Sequence, residues 1–158
     1  MSSYILELED IDKTFPGVKA LDGVHLNLRP GTVHALMGEN GAGKSTLMKC
    51  IFGIYHRDSG KMRLDGEEIN FSSSKEALDA GIAMIHQELQ PIKKMTIAEN
   101  IFLGNYPLTK YKTVDHSLMN QETQSLLVEV GLNISPTTYL GELTVSQMQL
   151  FEIAKALA

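Results

Sequence analysis

Apolar and polar residues alternate from Val24 to Arg29, with Val24, Leu26 and Leu28 on one side and His25, Asn27 and Arg29 on the other. A period of two predicts a half-buried strand. Pro30-Gly31 then turns the chain into Thr32–Met37, whose apolar run Val33–Met37 predicts another strand. The alternation returns after Lys61, where Met62 and Leu64 interleave with charges, Asp65-Gly66 supplies a turn, and Ile69 and Phe71 alternate back. Hairpins with one polar face predict an antiparallel sheet that is wet on one side.

Elsewhere the period lengthens. Leu47, Ile51 and Ile54 share a helical face with Cys50, and Gly53 marks its end. Ser73 and Glu76 have the spacing of a capping box ahead of a helix stopped by Gly81. Ile82–His86 is largely apolar and predicts a buried strand. Thr96 and Glu99 repeat the capping spacing before Gly104. Asn105–Asp115 reads as a connecting loop. Ser117–Val130 then sets Met119, Leu126, Leu127 and Val130 to one side of a helix followed by Gly131, and Ser146–Ala158 reads as helix without a stop signal. No repeat, low-complexity tract or evident linker interrupts the chain.

A length of 158 residues predicts about one domain, and 43% hydrophobic against 21% charged residues permits an ordinary core. With 14 basic against 19 acidic residues the net charge is −5, which disfavours a nucleic-acid partner. Cys50 is the only cysteine, so the chain has no disulfide framework and no cysteine-based metal site. Beside Ile51 it reads as a small buried apolar residue. The start, "MSSYILELED", has neither the basic segment nor the apolar core of a signal peptide. No stretch approaches the roughly 20 apolar residues that span a bilayer. The chain reads as cytoplasmic, serving a membrane, if at all, from its surface.

The chemistry concentrates in "GENGAGKST", Gly38 to Thr46, which fits G-x-x-x-x-G-K-[ST]. Glycines let backbone N–H groups turn inward with no side chain in the way. A helix starting near Lys44 adds the positive end of its dipole and unpaired N–H donors. Lys44 supplies a full charge to β and γ phosphates, Ser45 a hydroxyl for Mg²⁺, and Thr46 a donor to the α phosphate. An apolar run before and an amphipathic helix after are the context this loop requires. Nucleotide binding follows. A GTPase would need an Asn-Lys-x-Asp base-reading motif, which the sequence lacks; "TKYK" (Thr109–Lys112) has no aspartate.

Three further stretches carry a resemblance: "KTFPGVKALDGV" ahead of the loop, "IAMIHQEL" with Gln87, and "LTVSQMQLFEIAKAL" at Leu143–Leu157. With "HALMGENGAGKSTLMKCIFGIY" they resemble the ATP-binding cassette family of transport ATPases, in its monosaccharide-importer branch, from about Tyr4 to Ala158. The resemblance implies an α/β phosphate-loop NTPase fold with an antiparallel β-subdomain, part of the core sheet and a helical subdomain. It divides residues 1–158 into a β-subdomain and phosphate-loop core to about residue 94, a helical subdomain over about 95–143, and a signature helix over 144–158. The chain would stop before the strand that carries the Walker B carboxylates.

The same resemblance assigns roles. Phe15 would stack on adenine; a core phenylalanine before a turn is the alternative. Gly38, Asn40, Gly41, Ala42, Gly43, Lys44, Ser45 and Thr46 would hold ATP. Lys44 and Gln87 would be the catalytic pair, with Ser45 and Gln87 on Mg²⁺; His86 has no role in the pattern. Leu143, Thr144, Val145, Ser146 and Gln147 would form the signature. Thr144 replaces the family's usual serine, and Val145 and Ser146 stand where glycines are common. Thr144 keeps a hydroxyl and could cap the following helix. The implied partners are a membrane permease subunit, a second cassette and, indirectly, a sugar-binding protein, at the cytoplasmic face of the membrane. The implied activity is ATP-driven import of galactose, methyl galactoside or a related sugar such as ribose or xylose. The 158 residues alone would bind ATP without turning it over. A regulatory nucleotide-binding module that does not hydrolyse is the other reading.

Overall fold

A computed structural model describes residues 3–85 and 91–158. They form two compact units, Met1–Ala83 and Met84–Ala158, divided where the sequence offers no linker.

The first unit is built on a four-stranded sheet of order β2-β1-β3-β4, antiparallel throughout: β1 (Leu6–Phe15), β2 (Val18–Leu28), β3 (Ser59–Leu64) and β4 (Glu67–Glu68). The predicted antiparallel sheet is present. Asp65 and Gly66 take φ of 50° and 84°, the geometry of a type I′ hairpin turn. Strand β1 was not legible from periodicity. Leu6 and Leu8 alternate inward, but Asp10 adopts φ 51° and the register slips before Ile11, so the inward positions change parity. One face of the sheet packs Leu8, Ile11, Leu21 and Met62 against Leu47, Cys50 and Ile51 of helix α1 (Lys44–Ile51). Cys50 is buried, as its apolar neighbours predict, and burial pushes its thiol pKa up. Phe52 caps α1 and Gly53 takes φ 71° one residue later, which leaves Ile54 outside the helix and exposed.

Two predicted strands do not form. Val33–Met37 has no ladder, and Val33 and Met37 are almost fully exposed, at 101% and 90%. Ile82–Ile85 also has no strand hydrogen bonding, and the rest of that prediction, His86, lies outside the described residues. A strand exists only when a neighbour pairs its N–H and C=O groups, and among the described residues neither segment has one. The expected part of a core sheet is therefore corrected to two unpaired segments. Helix α2 (Ser74–Asp79) also differs in detail. Ser73 Oγ accepts the Glu76 N–H as predicted, but the Glu76 carboxylate reaches Ser72 rather than Ser73, so the cap is one-sided.

The second unit is helical: α3 (Ile97–Ile101), α4 (His116–Glu129) and α5 (Val145–Leu157), with a 3₁₀ turn at Leu140–Glu142. The predicted caps at Thr96 and Thr144 both form, and the reciprocal bond from Gln147 at Thr144 was not foreseen. Thr96 and Glu99 form a reciprocal capping box on α3, and Thr144 and Gln147 form one on α5. Ile97, Leu127, Leu132, Leu140 and Phe151 make the unit's buried cluster, with Leu126 and Val130 packed against it. Asn105–Asp115 is a loop, pinched by a bridge between Leu108 and Val114. No helix among the described residues is long and apolar enough to cross a membrane.

Candidate functional site

The loop from Gly38 to Gly43 ends on α1 in an unusual cap. Gly43 is the N-cap in the left-handed conformation, φ 84°, and makes no side-chain cap bond. The first turn of any helix leaves N–H groups unpaired. At α3 and α5 side chains satisfy part of that need, whereas α1 presents its donors to the loop with no side chain of the described residues on them. Gly43 is also wedged against β2: a Cβ there would lie 2.4 Å from the Ala20 carbonyl oxygen and 3.0 Å from Leu21 Cδ2. The sheet thus fixes where the helix begins.

Lys44, Ser45 and Thr46 occupy that first turn. Lys44 Nζ donates to the carbonyls of Gly38 (2.5 Å) and Glu39 (2.7 Å), bridging back across the loop. The Ala42 N–H closes a turn on the Glu39 carbonyl at 3.2 Å. Gly38, Asn40, Gly41 and Ala42 are exposed, and so is Ser45. An ammonium, a helix N-terminus and two hydroxyls on one open loop make a donor set for polyanions, and it suits a nucleotide's phosphates. Ser45 offers Mg²⁺ a single hard oxygen; the described residues hold no cluster of carboxylates, histidines or cysteines that could bind a metal unaided. The set therefore fits a metal that arrives with the phosphates.

Phe15 closes β1 beside the hairpin turn. Its ring meets Tyr55 edge-on, with centroids 5.2 Å apart at 71°, and Lys13 Nζ stands 5.5 Å from the Phe15 centroid. The ring is half-buried. Tyr55 is tied to the end of α1 by its N–H on the Lys49 carbonyl. This partner was not foreseen; only an aromatic shortly after the helix stop hinted at it.

Ion pairs hold the Phe15 end of the hairpin. Lys13 Nζ lies 2.7 Å from Asp58, which also accepts the Thr14 N–H at 2.6 Å. Asp12 accepts the Gly23 N–H and Ser59 Oγ and pairs with Lys19 at 3.1 Å. Lys13's hydrogen bond holds the Asp58 carboxyl below its ordinary pKa, and the Gly23 N–H does the same for Asp12.

All the phosphate-loop residues and Phe15 thus lie in the first unit. The signature residues lie in the second. Leu143 packs on its core, Thr144 is the α5 N-cap, and Val145 and Ser146 are exposed. Gln147 Oε1 accepts the Thr144 N–H at 2.9 Å, so this side chain is engaged in the cap. Gln87 and His86 lie outside the described residues.

The ABC transporter family matches residues 21–158. Over its whole length the chain is 55% identical to a galactose/methyl galactoside import ATP-binding protein of Photobacterium profundum and covers 32% of it. It is 54% identical over 97% of its length to the protein of that name in Escherichia coli, covering 30% of that protein. The chain thus spans about a third of the length of these curated relatives. A solved ATP-binding cassette of an ABC transporter in its ADP conformation superposes with a TM-score of 0.83 at 33% identity, covering 99% of this chain and 65% of that one. A nucleotide-free cassette gives 0.82 at 32% identity, covering 98% and 64%.

Proposed function

The chain belongs to the ABC transporter family, and from that premise we propose that it is the N-terminal third of a monosaccharide-importer ATPase. The observation that carries the reading is the cap of α1: a left-handed glycine with no side-chain cap, followed at once by Lys44, Ser45 and Thr46. In this reading the Gly38–Thr46 backbone and the Lys44 ammonium bind the ATP phosphates, and Phe15 stacks on the adenine. Ser45 and Gln87 are the residues that would hold a Mg²⁺ arriving with ATP, and its charge would offset that of the β and γ phosphates.

For the chemical step Lys44 changes partners. Its Nζ, now on two loop carbonyls, turns to the γ phosphate, where it favours the charge that develops as the bond breaks. Gln87 orients the attacking water. The signature turn at Thr144–Gln147 offers the α5 N-terminus to a nucleotide held by a second cassette. The carboxylates that would activate the water belong to the part of the longer protein that follows Ala158, as do the strands that would pair with Val33–Met37 and Ile82–His86. Losing such a base typically costs about 10²–10⁴ in rate, so these 158 residues alone bind ATP with little turnover.

The helical subdomain, over about 95–143, faces a membrane permease at the cytoplasmic side, and the cargo is galactose or methyl galactoside. The cargo rests on the names of the relatives at 52–55% identity, since no residue here would touch sugar. Two measurements test the proposal. Phosphate release in excess Mg-ATP is compared between this chain and one extended through the missing strands; equal turnover, abolished in both by Lys44→Ala, refutes the placement of the base. Uptake of labelled galactose, ribose and xylose is compared before and after deletion of the gene; undiminished uptake of all three refutes the sugar assignment.

A further inference from the structure

We infer that Asn100 is a positioning residue that fixes where the signature turn, Leu143–Gln147, is presented, acting through a strap of backbone hydrogen bonds; the inference rests on the signature reading above. Asn100 is 1% exposed on α3, beside the buried Ile97 and Ile101. A side-chain amide in such surroundings is costly unless fully bonded, and an apolar residue would fill the space without that demand. Here three of the amide's four hydrogen-bonding positions, including both donors, are used. Its Oδ1 accepts the Ile92 N–H at 3.0 Å, and its Nδ2 donates to the carbonyls of Ile92 (3.1 Å) and Thr96 (3.0 Å). One side chain thereby grips both ends of the segment 92–96.

That segment is laced to the approach of α5. Gly141 N–H donates to the Lys93 carbonyl at 3.1 Å, and Leu140 N–H to the Met95 carbonyl at 3.1 Å. Thr96 bridges Tyr139, and the Ile97 and Ala98 N–H groups donate to the Thr138 and Pro136 carbonyls. Gly141 permits the close approach: a Cβ there would sit 3.2 Å from the Lys93 oxygen. From Gly141 a 3₁₀ turn leads directly into Leu143 and the Thr144 cap, with the Leu143 N–H on the Leu140 carbonyl. So short and bonded a connection has little slack. A shift of 92–96 moves the turn from which α5 starts.

The signature acts on a nucleotide held elsewhere, so its misplacement lowers turnover and leaves binding to this chain's own phosphate loop intact. The test uses the full-length protein, measuring nucleotide affinity and steady-state phosphate release separately. Asn100→Asp keeps the shape but removes both donors and sets a carboxylate against two carbonyls. It should lower kcat about 10–100-fold while the ATP dissociation constant stays within about twofold. Gly141→Ala, which crowds the other end of the strap, should lower kcat less, and adding it to Asn100→Asp should cost less than the sum of the two. Leu127→Ala removes a buried side chain from the same cluster but outside the strap. It should lower the melting temperature while sparing kcat per folded molecule. Asn100→Asp and Gly141→Ala with full turnover, or Leu127→Ala matching their loss at equal melting temperature, would overturn the inference. Ser146→Phe separates the two readings: it blocks the exposed turn itself, so full turnover in that variant refutes the signature reading and this inference together. Loss in Ser146→Phe beside full turnover in Asn100→Asp refutes the inference alone.

Discussion

Replacing the three loop glycines one at a time with alanine should rank them by cause. Gly38 has no positive φ, and its added Cβ would meet Ala42 Cβ at 3.3 Å, a contact that a side-chain methyl relieves by a small shift. Gly38→Ala should cost less than about 1 kcal/mol of stability, as isolated surface substitutions do. Gly41 has φ 87° with nothing within 4 Å of the new atom, so Gly41→Ala carries only the left-handed penalty, about 1–2 kcal/mol. Gly43 carries that penalty, and its Cβ would also lie 2.4 Å from a backbone oxygen of β2 that cannot rotate away. Overpacking of that kind adds about 1–3 kcal/mol, bringing Gly43→Ala to about 2–5 kcal/mol. For a chain of this length each kcal/mol lowers the melting temperature by about 2–4 °C, so Gly43→Ala should lose roughly 4–20 °C. Thermal unfolding by circular dichroism reads the total. Amide exchange in β1 and β2 localises it and works equally in a longer protein. Were Gly43→Ala no less stable than Gly41→Ala, the wedge between α1 and β2 would be wrong, and with it the claim that the sheet sets the start of the helix.

Three further outcomes are expected. Lys44→Ala should weaken Mg-ATP about tenfold or more, since hydrogen bonds to charged groups are worth about 1.5–3 kcal/mol; equal affinities by titration would remove the loop from the site. Phe15→Ala should cost about 1–3 kcal/mol of ATP binding and Phe15→Tyr little, whereas a lower melting temperature at unchanged affinity would make Phe15 only the packing partner of Tyr55. Asp12, Asp58 and Glu9 have folded pKa values below the ordinary carboxylate range, Glu9 through the hydrogen bond from Arg63. Their contribution is present above the unfolded value near pH ~4 and is lost as pH falls through the folded values. Acid titrations should therefore show Asp12→Asn losing less stability than the parent between neutral and low pH.

What could be read from the sequence was what short-range chemistry determines. The caps at Thr96 and Thr144 each involve residues three apart, and both formed. The Asp65-Gly66 hairpin and the phosphate loop are equally local. What escaped depends on distant partners. Strand β1 was hidden because the irregularity at Asp10 breaks the period that alternation detects. Val33–Met37 reads as a strand, but strandedness belongs to a pair. Phe15 against Tyr55 and Asn100 against Ile92 are contacts between side chains and segments that no periodicity brings together.

The unpaired segment at Val33–Met37 also bears on how the protein is made. In the proposed longer chain its partner strands are synthesised after Ala158, more than a hundred residues later. At about 5–20 residues per second that is a wait of at least about 6–24 s. The antiparallel sheet, complete by Glu68, can close in that time on the nascent chain. Val33 and Met37 would then wait with their backbone groups unpaired, a window in which holdase capture or slowed translation would decide the yield of folded protein.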